Sequence, residues 1–145
     1  MRSLTQDWLV RARDDLKTAN SFLADTELTH LVAANCRQCV EKCFRAMAEN
    51  RSIEMPATYN LIQMRRLFKQ YPAELDIELL RKLNDIPDES RNPLESGLLT
   101  GPKTAPDEVA GFLDFAKKIL EITVEICKDE NDWDSSAWNI LPFLY

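Results

Sequence analysis

The amino-acid sequence predicts an all-α protein, and three observations carry that prediction. Apolar residues recur every three or four positions over long stretches, the spacing that lays one stripe along a helix. Alternating β-branched runs are hard to find, so strands lack their signature. Only 3 glycines occur in 145 residues, too few for the tight turns of sheet architectures.

That length suits one domain with a sizeable core. Apolar residues make up 45% and charged residues 29%, the balance of a globular chain rather than a disordered one. A net charge of −6 weighs against a protein that coats nucleic acid electrostatically, although a local basic patch remains compatible with it. No run approaches the ~20 apolar residues that cross a bilayer, and the N-terminus is charged where an export signal needs its apolar region. We therefore expect a cytoplasmic protein without membrane contact, its 4 cysteines reduced.

A first helix is predicted from Leu4 to about Ala24. Ser3 and Gln6 fit a capping box, and Trp8, Ala12, Leu16, Ala19, Phe22 and Leu23 form the inward stripe. Asp25 and Thr26 make a short polar link that favours an antiparallel hairpin with the next helix. That second helix, residues 27–50, carries Leu28, Val32, Cys36, Cys39, Cys43 and Met47 as its apolar stripe. On its other face Arg37, Glu41, Arg45 and Glu49 alternate in sign at i,i+4, each pair stabilising the helix by roughly 0.2–0.5 kcal/mol.

After a loop around Pro56, Thr58 is the expected cap of a third helix reaching Gln70, with Leu61, Met64, Leu67 and Phe68 inward. Tyr71-Pro72 ends it, because proline disfavours helical geometry in the residue before it. A fourth helix is expected from Ala73 to Ile86, with Leu75, Leu79, Leu80, Leu83 and Ile86 inward. Residues 87–106, with four prolines and two glycines, read as a long loop. The last helix starts near Pro106 and runs to Lys128 on Val109, Phe112, Leu113, Ala116, Ile119, Leu120, Thr123 and Ile126. Residues 1–128 thus form a helical bundle of four or five helices around one core.

Residues 129–145 turn from acidic to apolar, with Trp133, Trp138, Ile140, Leu141, Phe143, Leu144 and Tyr145. Soluble monomers seldom expose such a patch, so this tail is expected to pack either on its own bundle or on a second subunit.

Chemistry is sparse. Cys36, Cys39 and Cys43 share the apolar stripe and read as core packing, not as metal ligands, since structural zinc pairs usually sit on turns with a second pair elsewhere. His30 is the single histidine and has no partner that the sequence identifies. No phosphate-binding glycine loop occurs. Arg37, Arg45, Arg65, Arg66 and Lys69 can line a phosphate-contacting face, although such stripes are more often plain solvated surface. We assign no catalytic residue, no metal and no cofactor.

The run from Ala33 to Met47, A-A-N-C-R-Q-C-V-E-K-C-F-R-A-M, resembles the second helix of the HEPN (higher eukaryotes and prokaryotes nucleotide-binding) domain family. Gln38, Glu41, Lys42 and Arg45 fall where that family has Gln, Glu-Lys and a basic residue. Pro56, Thr58, Tyr59, Asn60 and Leu61 are similar to the family's Pro, Thr, His-Asp-Leu start of the third helix, and Arg91, Asn92 and Pro93 to its Arg-Tyr-Pro. The resemblance spans roughly residues 4 to 128.

It implies an up-and-down four-helix bundle with one additional short helix, usually as a homodimer, often paired with a nucleotidyltransferase or placed in a toxin-antitoxin pair. Some members are metal-independent RNases with an Arg-x4-6-His motif. Here the arginine would have to replace Asp25, Ala24 or Leu23, so the motif is absent, and Tyr59-Asn60 stands where the family has His-Asp. Losing the imidazole removes the group that shuttles protons near neutral pH, whereas tyrosine can still stack on a base and asparagine can still bond its edge.

The resulting expectation is a non-catalytic protein that binds a nucleotide, a nucleic acid or a nucleotidyltransferase partner. Gln38, Glu41, Lys42, Tyr59, Asn60 and Arg91 are the binding candidates, with Arg91 as the anion contact. An RNase with an altered active site and a purely structural or regulatory dimerisation module are the alternatives.

Overall fold

The structure, a computed structural model, describes residues 3–55, 57, 60–72, 75–86 and 104–130. Among them are five α-helices and no strand: α1 (Leu4–Ser21), α2 (Thr29–Arg51), α3 (Leu61–Arg66), α4 (Ile77–Asn84) and α5 (Pro106–Glu130). The predicted fold class is therefore the observed one. The long loop, Thr58 and the tail lie outside the described residues.

Helix α1 begins where its cap predicts, with Ser3 Oγ accepting the backbone N–H of Gln6 at 3.1 Å. Asp25 caps a single 3₁₀ turn, Thr26–Leu28, that leads into α2. At its other end α2 stops by placing Ser52 in the left-handed region at φ 52°. The Ile53 N–H then reaches Ala48 O at 2.8 Å and the Ser52 N–H reaches Glu49 O at 3.3 Å, satisfying carbonyls that a helix end otherwise leaves open.

Helices α1 and α2 run antiparallel, as the short link predicts. Lys42 meets Asp15, while Arg45, one turn further along α2, meets Trp8, two turns earlier on α1. Helix α2 is the centre of the bundle, packing mainly on α1 and α5 and less extensively on α3 and α4. Val32, Ala33, Cys36, Cys39, Val40, Cys43, Phe44 and Met47 are all fully buried, and the small Ala and Cys side chains let neighbouring helices approach closely.

That central place overturns one expectation. The face with Arg37 and Glu41 is not a solvated outer face: Arg37 is 3% exposed and Glu41 5%, while only Glu49 of the four charges is exposed. Several inward assignments also change. Trp8 is only half-buried, with Leu9 taking the core position beside it, and Leu23 and Leu67 are exposed.

Helices α3 and α4 are shorter than predicted because side-chain caps sit further along the chain. Asn60 Oδ1 accepts from Ile62 N at 2.9 Å and Gln63 N at 3.1 Å, so α3 starts at Leu61. Asp76 Oδ1 accepts from Leu79 N at 3.0 Å, so α4 starts at Ile77. Asn84, at the end of α4, accepts the Leu61 N–H at 2.8 Å and ties the two short helices together. After α3 the chain closes on an aromatic group in which Tyr71 meets Phe44 edge-on, ring centroids 5.4 Å apart, and Phe68 lies 6.3 Å from both.

Candidate functional site

Helical periodicity brings Gln38, Glu41, Lys42 and Arg45 into a single arc of α2, about 100° wide. Each has a different environment. Gln38 is half-buried, Glu41 is buried, and Lys42 and Arg45 are half-buried. Lys42 Nζ donates to Asp15 Oδ2 of α1 at 2.5 Å, and Arg45 Nη2 stands 3.6 Å from Glu41 Oε1. Burial pushes the Asp15 carboxyl above its ordinary value, and the hydrogen bond and charge of Lys42 only partly oppose that rise.

Beside this arc, two guanidinium groups approach the indole of Trp8 on α1. Arg11 stands 5.5 Å and Arg45 6.0 Å from the ring centroid, both within cation–π range. Trp8 is half-buried and Arg11 exposed, so part of the ring and one guanidinium are open to a ligand. Periodicity alone assigns Trp8 to the core and leaves Arg11 on the general surface. The signal that finds them is the i,i+3 spacing of Trp8 and Arg11, which stacks a cation over an indole on one helix face.

Asn60, another binding candidate, stands at the start of α3 with its side-chain oxygen already shared between two backbone N–H groups. Tyr59 and Arg91 lie outside the described residues. His30 is the second residue of α2, and its Nδ1 is buried with no hydrogen-bond partner among the described residues. Nothing at Leu23, Ala24 or Asp25 supplies it with a cation.

The thiols of Cys36, Cys39, Cys43 and Cys127 are all buried. Burial pushes Cys36 far above its ordinary value, and a hydrogen bond with Cys43 together with burial does the same to Cys39. Such thiols stay protonated and are poor nucleophiles. Cys127 Sγ lies 3.8 Å from Met47 Sδ, a packing contact between α5 and α2. Among the described residues no group of three or more His, Cys, Asp or Glu is placed to hold a metal ion, and no helix is long and apolar enough to cross a membrane.

The bundle has counterparts among known proteins. The HEPN domain family matches residues 5–127. An archaeal HEPN homologue, ST0689, has a crystal structure that superposes with a TM-score of 0.67 at 18% identity, covering 87% of this chain and 99% of that one. The crystal structure of TT1696 from Thermus thermophilus superposes with a TM-score of 0.61 at 20% identity, covering 83% and 96%. At these identities the two structures speak for the fold alone. Among curated proteins none matches the chain.

Proposed function

The chain belongs to the HEPN domain family, and from that premise we propose that it is a non-catalytic member that binds a nucleotide or a short single-stranded nucleic acid on its α1–α2 face. The observation that carries this reading is Trp8 flanked by Arg11 and Arg45. An indole offers a base a stacking surface, and a guanidinium beside it offers a phosphate two parallel donors. The net charge of −6 and the pairing of Lys42 with Asp15 favour a small ligand over a long duplex, which would need many uncommitted cations. Gln38 sits in the same arc, and Tyr59, Asn60 and Arg91 stay in the proposed ligand set as further candidates. Binding needs no imidazole, which agrees with the missing Arg-x4-6-His motif.

Calorimetric titration with ATP and with a short RNA tests this. Trp8→Ala and Arg45→Ala are each expected to weaken binding by about 1–3 kcal/mol, and Arg91→Ala by a similar step. Unchanged affinity in Trp8→Ala removes the proposed site.

A second reading is a subunit that docks on a nucleotidyltransferase, as one half of a toxin-antitoxin-type pair. The acidic balance favours it, since an acidic surface steers toward a basic partner. Absence of heat with every nucleotide, together with a salt-sensitive complex with such a partner, selects this alternative.

A further inference from the structure

A second surface, between α4 and α5, combines apolar walls with a few charged residues. A cleft of about 640 Å³ runs between the start of α4 and the middle of α5. Leu75 and Leu79 form one wall and Phe115 and Ile122 the other, with Gly111 at one end and Lys118 on the rim. Gly111, Phe115, Lys118 and Ile122 follow at helical spacing, so the groove tracks α5 for about three turns, roughly 16 Å.

Gly111 is the informative residue. Glycine inside a helix is destabilising relative to alanine, and here no neighbour excludes a side chain, because a Cβ at this position would meet nothing within 4 Å. The space it leaves is therefore unexplained by packing among the described residues.

We propose that the apolar segment from Trp133 to Tyr145 of this same chain turns back at the end of α5 and occupies the cleft between α4 and α5. Length permits it. Ile122 lies about 12 Å of helix before Glu130 and Gly111 about 28 Å, while an extended chain covers about 3.3 Å per residue, so Trp138 and Ile140 come level with the groove. Charge permits it as well. The acidic side chains of the segment end at Asp134, and residues 135–145 carry no charged side chain to oppose Asp76 and Asp114 on the cleft wall. The segment's aromatic and aliphatic side chains supply an apolar cover for Leu79, Phe115 and Ile122.

The test uses the full chain in a Trp8→Phe background, so that emission comes from Trp133 and Trp138 alone. Blue-shifted emission that does not change on dilution is expected, with a red shift and several-fold faster proteolytic loss of the tail in Gly111→Leu. Leu79→Lys is the second variant, and far-ultraviolet circular dichroism confirms that each variant keeps its helices. Three results overturn the proposal: red-shifted emission in the parent, blue-shifted emission that neither variant moves, and a blue shift lost on dilution, which would place the tail on a second copy.

Discussion

Tyr71 donates its phenolic proton to Thr123. The two oxygens are 2.7 Å apart, and the direction follows because Thr123 spends its own proton on the Ile119 carbonyl, also at 2.7 Å. This buried relay fastens the chain after α3 to the middle of α5, on the back of the aromatic group around Phe44. It anchors the residue next to Pro72, which with Leu75 lines the α4–α5 cleft.

The direction of that bond predicts unequal mutants. In Tyr71→Phe the hydroxyl is gone, Thr123 keeps Ile119, and the expected loss is about 1 kcal/mol. In Thr123→Val the phenolic proton stays buried without an acceptor, and the expected loss is about 1–3 kcal/mol. Urea unfolding of both variants measures the order, and a costlier Tyr71→Phe would contradict the assigned direction.

Alkaline pH should weaken the fold early. Burial raises Cys36 and Tyr71 above their ordinary values, and a hydrogen bond with Cys43 together with burial raises Cys39, so the folded chain keeps protons that the unfolded chain releases. The sign is fixed: where the unfolded state binds fewer protons, stability falls as pH rises. The loss starts near the ordinary thiol value of 9.0 and approaches about 1.4 kcal/mol per pH unit for each thiol. Chemical denaturation should show little change from about pH 7 to about pH 8 and a decline from there to about pH 10.5, which Cys36→Ala should reduce.

Asn60 carries two assignments that a pair of substitutions separates. As the α3 cap it is worth about 1 kcal/mol, and Asp serves that role equally well. Asn60→Asp should therefore keep stability, while its added negative charge should weaken nucleotide binding if Asn60 faces the ligand. Asn84→Ala, which removes only the acceptor for the Leu61 N–H, should cost about 1 kcal/mol and leave binding alone. Thermal melts alongside calorimetry distinguish these variants.

These residues also show how far the sequence reaches. Long stripes place α1 and α5 within a few residues, because many successive positions repeat one period. Helices α3 and α4 are too short for that, and their starts are decided by which side chain captures the first N–H groups. Asn60 and Asp76 make that capture, and periodicity marks neither. Arg37 and Glu41 share a face with Arg45, as spacing shows, but spacing does not count how many helices surround α2. The Trp8 group is equally hidden, since an indole at a stripe position reads as core until its helix is seen to carry Leu9 inward.

The Asp15–Lys42 pair gives the sharpest pH test. Asp15 sits above its ordinary value because burial outweighs Lys42, so this site accepts a neutral side chain readily. Asp15→Asn should cost less than about 1 kcal/mol, the amide oxygen still accepting from Lys42. Lys42→Met instead leaves a largely buried carboxylate without its cation and should cost about 1–3 kcal/mol near pH 7. A raised folded value means the folded state binds more protons than the unfolded one in the carboxyl range, so this deficit shrinks as pH falls and Asp15 becomes neutral. Unfolding of Lys42→Met at about pH 7 and about pH 4 should show the gap to the parent closing. A gap that stays constant would mean that Asp15 remains ionised, and that the pair is held by solvent exposure rather than by burial between α1 and α2.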